Sequence, residues 1–255
     1  MGSIRFAFLL LGAICLELWA PVAAKPAKIP SYIHVCKKND PKVNDCIKKS
    51  IEDMRPQLIK GIPEINVPAF EPLVLPEVVV KSGNPGANFK ATGKNVKVYG
   101  GGGFILDSVQ ADLNKNEFKA SLTFPNLFFE SAYEVDGQIL VLPLKGKGPL
   151  TANATNVKGE ILLKGEVKEK GGDKFLTFTS LNVKVKIDNY KIHLDGLFGG
   201  DKVLGDATNA ALNEGNVDFI RAVTPVVEET TAAVLLKIAN QIVESFTYDE
   251  LFPEK

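Results

Sequence analysis

Proton transfer at neutral pH calls for a positioned imidazole or a tuned carboxylate, and this chain has only two histidines. His193 falls in register with Lys191 and Asp195 on the wet face of a strand pattern, and His34 lies beside the cysteines near the amino terminus. Neither is assigned a catalytic role. The run Gly100 to Gly103 has the composition of a phosphate cradle. However, Ile105 stands where G-x-G-x-x-G needs its third glycine, and no helix pattern follows. A glycine-rich bend is expected there instead. Gly146-Lys147-Gly148 lacks the serine or threonine that follows a P-loop lysine, and there is no G-x-S-x-G, H-E-x-x-H or acidic loop with calcium-ligand spacing. An enzyme is not expected, and neither a cofactor nor a resident metal is called for.

The remaining reactive residues point to export. Arg5 precedes the unbroken apolar run 6–16, and the small residues Val22-Ala23-Ala24 follow, the layout of a cleaved signal over 1–24. That run is too short to cross a bilayer, and no later stretch is long and apolar enough to do so. A secreted, unanchored protein is expected, with residues 25–255 as a single domain. Cys15 leaves with the signal, so Cys36 and Cys46 remain in an oxidising compartment and are expected to pair. Closing that short loop is worth about 2.5 kcal/mol. Asn153-Ala154-Thr155 is the one glycosylation sequon with a permitted middle residue. Thirty basic residues balance thirty acidic ones, which leaves no field to gather nucleic acid or an anionic membrane. A monomer is expected.

The elements that carry these residues show two periods. Ile47, Ile51, Met54 and Leu58 mark one face of a helix over 46–60, with Pro56 bending it or changing its turn and Gly61 ending it. Four prolines over 61–76 rule out an interior strand or a helix and predict an extended crossing segment. Strict alternation then begins. Phe118, Ala120, Leu122 and Phe124 face away from Lys119, Ser121 and Thr123, and Leu127, Phe129, Tyr133 and Val135 continue opposite Glu130 and Glu134. Asp136-Gly137 reads as a hairpin turn. Further strands follow at 157–167 and 175–194, where Leu181, Val183, Val185 and Ile187 face one way. The second helical region, 218–246, is apolar around most of its circumference and should kink at Pro225. Such a helix must be wrapped, so the expected fold is α+β, a long carboxy-terminal helix inside a strongly curved antiparallel sheet.

The order of short motifs adds a resemblance. Cys36 and Cys46-Ile47 precede a helix, Gly61-Ile62-Pro63, Val67-Pro68 and Glu71-Pro72-Leu73. Phe124-Pro125, Tyr133-Glu134-Val135-Asp136-Gly137 and the block from Leu142-Pro143 to Gly148 follow. Gly200-Asp201-Lys202-Val203-Leu204-Gly205, Leu212-Asn213-Glu214 and Tyr248-Asp249-Glu250-Leu251-Phe252-Pro253 close the series. In that order they resemble the takeout and juvenile-hormone-binding family of insect secreted proteins, from about Cys36 to Pro253. Glu71 stands where the family usually has aspartate, and no cysteine follows Cys46, which makes the chain more similar to the takeout branch. The resemblance implies an elongated domain with an apolar tunnel for a terpenoid, juvenile hormone-like molecule, carotenoid or other lipid. Parity and helical spacing place Leu122, Phe129, Tyr133, Val183 and Val185 of the strands and Val227, Val234 and Ile238 of the helix on its wall. The alternative is an extracellular interaction protein whose surface carries the function.

Overall fold

A proline early in a helix costs little, because the first turn's N–H groups lack partners anyway. In the computed structural model, which describes residues 29–84, 86–214 and 217–254, Pro56 lies in such a place. The expected helix over 46–60 is therefore two, α1 (Val43–Asp53) and α2 (Arg55–Lys60), with Met54 between them. The Cys36–Cys46 disulfide, Cα atoms 5.9 Å apart, ties α1 to the segment before it, and the Ser50 hydroxyl donates to the His34 carbonyl at 2.6 Å. The expected signal over 1–24 lies outside the described residues.

Six antiparallel strands follow: β1 (Leu73–Asn84), β2 (Ala87–Tyr99), β3 (Ile105–Asp112), β4 (Glu117–Ile139), β5 (Leu142–Lys170) and β6 (Asp173–Leu194). Their order is β1-β2-β4-β5-β6, and β3 pairs with the first half of β4 on the side where β2 pairs with the second half. The extended segment ends sooner than expected, with a 3₁₀ turn at Pro63–Ile65 and a strand from Leu73. Pro76 is tolerated because β1 is an edge strand and the register skips it. The β1–β2 hairpin was not foreseen.

The expected turn at Asp136-Gly137 is corrected. Both residues lie inside β4, paired with Lys145 and Leu144, and the chain reverses at Leu140–Val141 instead. Gly137 is needed for a close approach, since a Cβ there would sit 2.4 Å from the Phe89 Cα of β2. Its glycine signals contact between strands rather than reversal.

A crease crosses the sheet. Asn156 of β5 adopts φ 52°, and the register sets it opposite Pro125 of β4 and Asp188 of β6, whose carboxylate accepts from the Asn156 side-chain amide. A left-handed residue inside a strand reverses which side chains face inward. Before the crease even-numbered Phe118 packs with Val243, and after it odd-numbered Tyr133 packs with Ile220 and Val223. This is why Leu122 and Phe129, of opposite parity on one strand, share the inner face.

Three helices complete the chain: α3 (Lys202–Asn213), α4 (Val217–Val243) and α5 (Tyr248–Leu251). The long helix ends at Val243 rather than 246, because Thr247 starts α5 with a reciprocal cap to Glu250, and it is continuous through Pro225. It touches both β6 and β1, the two opposite edges of the sheet, so the sheet curls around it. At β6 the contact is polar. Asn209 and Asn213 of α3 each donate to and accept from the backbone of Leu194 and Ile192, Asn240 of α4 does the same at Phe178, and Glu228 accepts from the Val185 N–H at 2.9 Å. Side chains thus stand in for a missing neighbouring strand.

Candidate apolar binding site

Buried core collects at the two ends of α4. At its start Ile220, Ala222 and Val223 pack on a cluster of Tyr133, Val135, Ile139, Leu144, Leu194, Leu197 and Leu212. At its end Val243 joins Leu176, Phe178 and Tyr248, while Ile242 packs on Ile62, Ile65, Val67 and Phe246. Between these plugs Val183 of β6 and Val226 of α4 are buried. Leu122 and Phe129 of β4, Val185 of β6 and Val234 and Ile238 of α4 are all half-buried.

The eight wall residues expected from sequence are distributed as follows. Tyr133 and Val183 are fully buried, at 6% exposure each. The Tyr133 hydroxyl donates to the Asp195 carbonyl at 2.7 Å, which commits it to a loop. Burial, and then the charge of Asp195, hold this phenol above its ordinary pKa. Leu122, Phe129, Val185, Val234 and Ile238 form the half-buried middle stretch. Val227 is exposed and stands at the lip of a groove.

That groove, about 280 Å³, lies between α4 and the β1–β2 hairpin. Val80, Phe89 and Ala91 form its sheet side, and Val223, Val226, Val227, Thr230 and Thr231 its helix side. Of these, only Val227 was expected. Ala87, Phe89 and Ala91 alternate with Asn88 and Lys90, which was the available signal for this hairpin. A second cavity, about 410 Å³, is polar, lined by Lys38, Asn39, Asp112 and Asn114 among others.

Neither histidine lines either cavity. His193 is exposed, its Nε2 3.0 Å from an Asp195 carboxylate oxygen, and His34 is exposed as well. Thr230 and Thr231 have no base beside them in the groove lining. Among the described residues no three metal-ligating side chains gather. The glycine-rich bend does hold an anion, but it is the chain's own. Gly100 N–H donates to both Glu71 carboxylate oxygens, at 3.0 and 2.9 Å, and Gly102 N–H to one at 3.3 Å. Asn153 is exposed on β5, next to buried Ala154.

The groove lining is apolar apart from two hydroxyls, so it can remove apolar surface from water. Residues 10–253 match the sequence profile of the family described as haemolymph juvenile hormone binding protein. The chain is 28% identical over 234 residues to the circadian clock-controlled protein daywake of Drosophila melanogaster, covering 89% of each. It is 26% identical to the "Putative beta-carotene-binding protein" of Schistocerca gregaria, over 81% of this chain and 82% of that one. Among solved structures, Epiphyas postvittana Takeout 1 superposes with a TM-score of 0.70 at 22% identity, covering 86% of this chain and 99% of that one. This is the same fold.

Proposed function

Because the chain belongs to the haemolymph juvenile hormone binding protein family, we propose that it is a secreted, non-enzymatic carrier that holds a small apolar ligand along α4. The observation that supports this reading is a set of half-buried apolar side chains, Leu122, Phe129, Val185, Val234 and Ile238, between two packed ends. Covering roughly 400 Å² of apolar ligand contributes about 10 kcal/mol before association costs, so useful affinity needs few polar contacts. A terpenoid, a juvenile hormone-like molecule or a carotenoid would suit the space. The likeness to a protein described as carotene-binding supports that class. No described helix is long and apolar enough to cross a membrane, which is compatible with export.

A surface-borne interaction function has one observation in its favour: Val203 and Leu204 at the start of α3 are 79% and 51% exposed. One experiment separates the two. Protein purified from the medium of insect cells is extracted with organic solvent and the extract weighed by mass spectrometry against a mock purification. A stoichiometric apolar compound is expected, and the intact mass should fall on glycosidase treatment if Asn153 carries a glycan. An empty extract, together with no displacement of an apolar fluorophore by any lipid, would leave the surface function standing.

A further inference from the structure

The two edges of the sheet meet α4 differently. At β6 Glu228 and Asn240 of α4, with Asn209 and Asn213 of α3, hydrogen-bond the strand backbone, so that edge is a fixed seam. At Val80 of β1 none of the groove-lining side chains of α4 does so, and there the groove opens to solvent beside Val227. The side-chain chemistry of this opening is selective. Val80, Phe89, Ala91, Val226 and Val227 are apolar, and the only polar groups are the neighbouring hydroxyls of Thr230 and Thr231. Neither hydroxyl has a hydrogen-bond partner among the described residues, although a helical threonine usually returns its proton to the preceding turn. No ionisable side chain lines the groove.

A carboxylate seated between helix and hairpin would give up part of its water and find no cation in the lining, whereas a hydroxyl, ester or carbonyl oxygen needs only one donor or acceptor, which a threonine supplies. We propose that this groove is the head-group subsite of the carrier: it takes the neutral oxygen function of a lipid, Thr230 and Thr231 bind that oxygen, and the apolar tail runs inward along α4. The inference rests on the carrier reading and adds a restriction to it, that a neutral oxygenated lipid is preferred over the free acid of the same skeleton.

Retinol and retinoic acid share an apolar body and differ at the head. Binding of each to the full secreted protein is followed at pH 7.5 by displacement of N-phenyl-1-naphthylamine. Retinol should bind about ten-fold more tightly than retinoic acid, the worth of one satisfied hydrogen bond against an unpaired charge. The double variant T230V/T231V, close to isosteric, should weaken retinol about ten-fold, with the fluorophore's affinity measured directly on each protein. Equal affinity for the two retinoids, or a valine variant that folds and binds retinol as before, overturns the subsite while the carrier stands. If the double variant does not fold, the comparison of retinoids on the unaltered protein decides alone. A protein that binds neither retinoid nor fluorophore sinks the carrier reading, and the subsite with it.

Discussion

Tyr133, Tyr190 and Tyr248 each send a hydroxyl to a backbone carbonyl, those of Asp195, Leu212 and Leu113, at 2.7, 2.6 and 3.1 Å. Ionising any of them would remove the donor and place a charge against a carbonyl oxygen. Desolvation raises all three pKa values, assisted at Tyr133 by Asp195 and at Tyr248 by Asp249. The folded chain thus holds these protons more tightly than the unfolded one. Their contribution is complete below the ordinary phenol value of about 10 and is lost as pH rises through the higher folded values. Urea midpoints should fall between pH 9 and 11, and less steeply in the triple variant Y133F/Y190F/Y248F. An identical alkaline slope would mean that these phenols titrate as they do in the unfolded chain. That Tyr133 would lie on the inner face was legible from alternation with Glu134. The carbonyl that takes its proton comes from a loop 62 residues away in sequence, and no local pattern carries that information.

Among the elements, legibility followed the chemistry of the buried stripe. The alternating runs of β4, β5 and β6 were visible because one face is apolar and the other charged. Helix α3 was missed because the residues it buries are Gly205, Thr208, Asn209 and Leu212, at helical spacing but mostly small or polar. Polar residues belong there because their task is to pair a strand edge. The β1–β2 hairpin was hidden by Pro76 and by a turn that occupies few residues. Asn209 tests the edge argument. It is 8% exposed, accepts from the Leu194 N–H and donates to the Leu194 carbonyl, both at 2.9 Å. N209A should cost roughly 2 to 3 kcal/mol, because two buried backbone groups lose the side-chain amide that pairs them. Urea denaturation measures the cost, and hydrogen exchange should show the Leu194 amide losing protection. A cost below about 0.5 kcal/mol with protection retained would show that the edge does not need the amide.

At the scale of the whole molecule, a sheet wrapped around a nearly all-round apolar helix could be anticipated from hydrophobic pattern alone. Whether the enclosed space is filled could not, because a lining side chain and a core side chain look the same in sequence. The clusters at the ends of α4 are buried, and in the middle stretch Leu122, Phe129, Val185, Val234 and Ile238 are half-buried beside buried Val183 and Val226. Val234 lies in that middle stretch, half-buried and on the helix rather than on a strand whose pairing a large side chain would disturb. V234W should therefore place an indole where ligand would lie. Overpacking a filled core costs about 1 to 3 kcal/mol, whereas filling empty space costs less and can add apolar contact. The expected outcome is a loss of fluorophore binding of about ten-fold or more, with a melting temperature within a few degrees of the unaltered protein. Steady binding combined with a large fall in melting temperature would place Val234 in ordinary core and move the binding space elsewhere along the helix. The two readouts together distinguish a carrier whose fold is held at its ends from a solid protein that only has the carrier's shape.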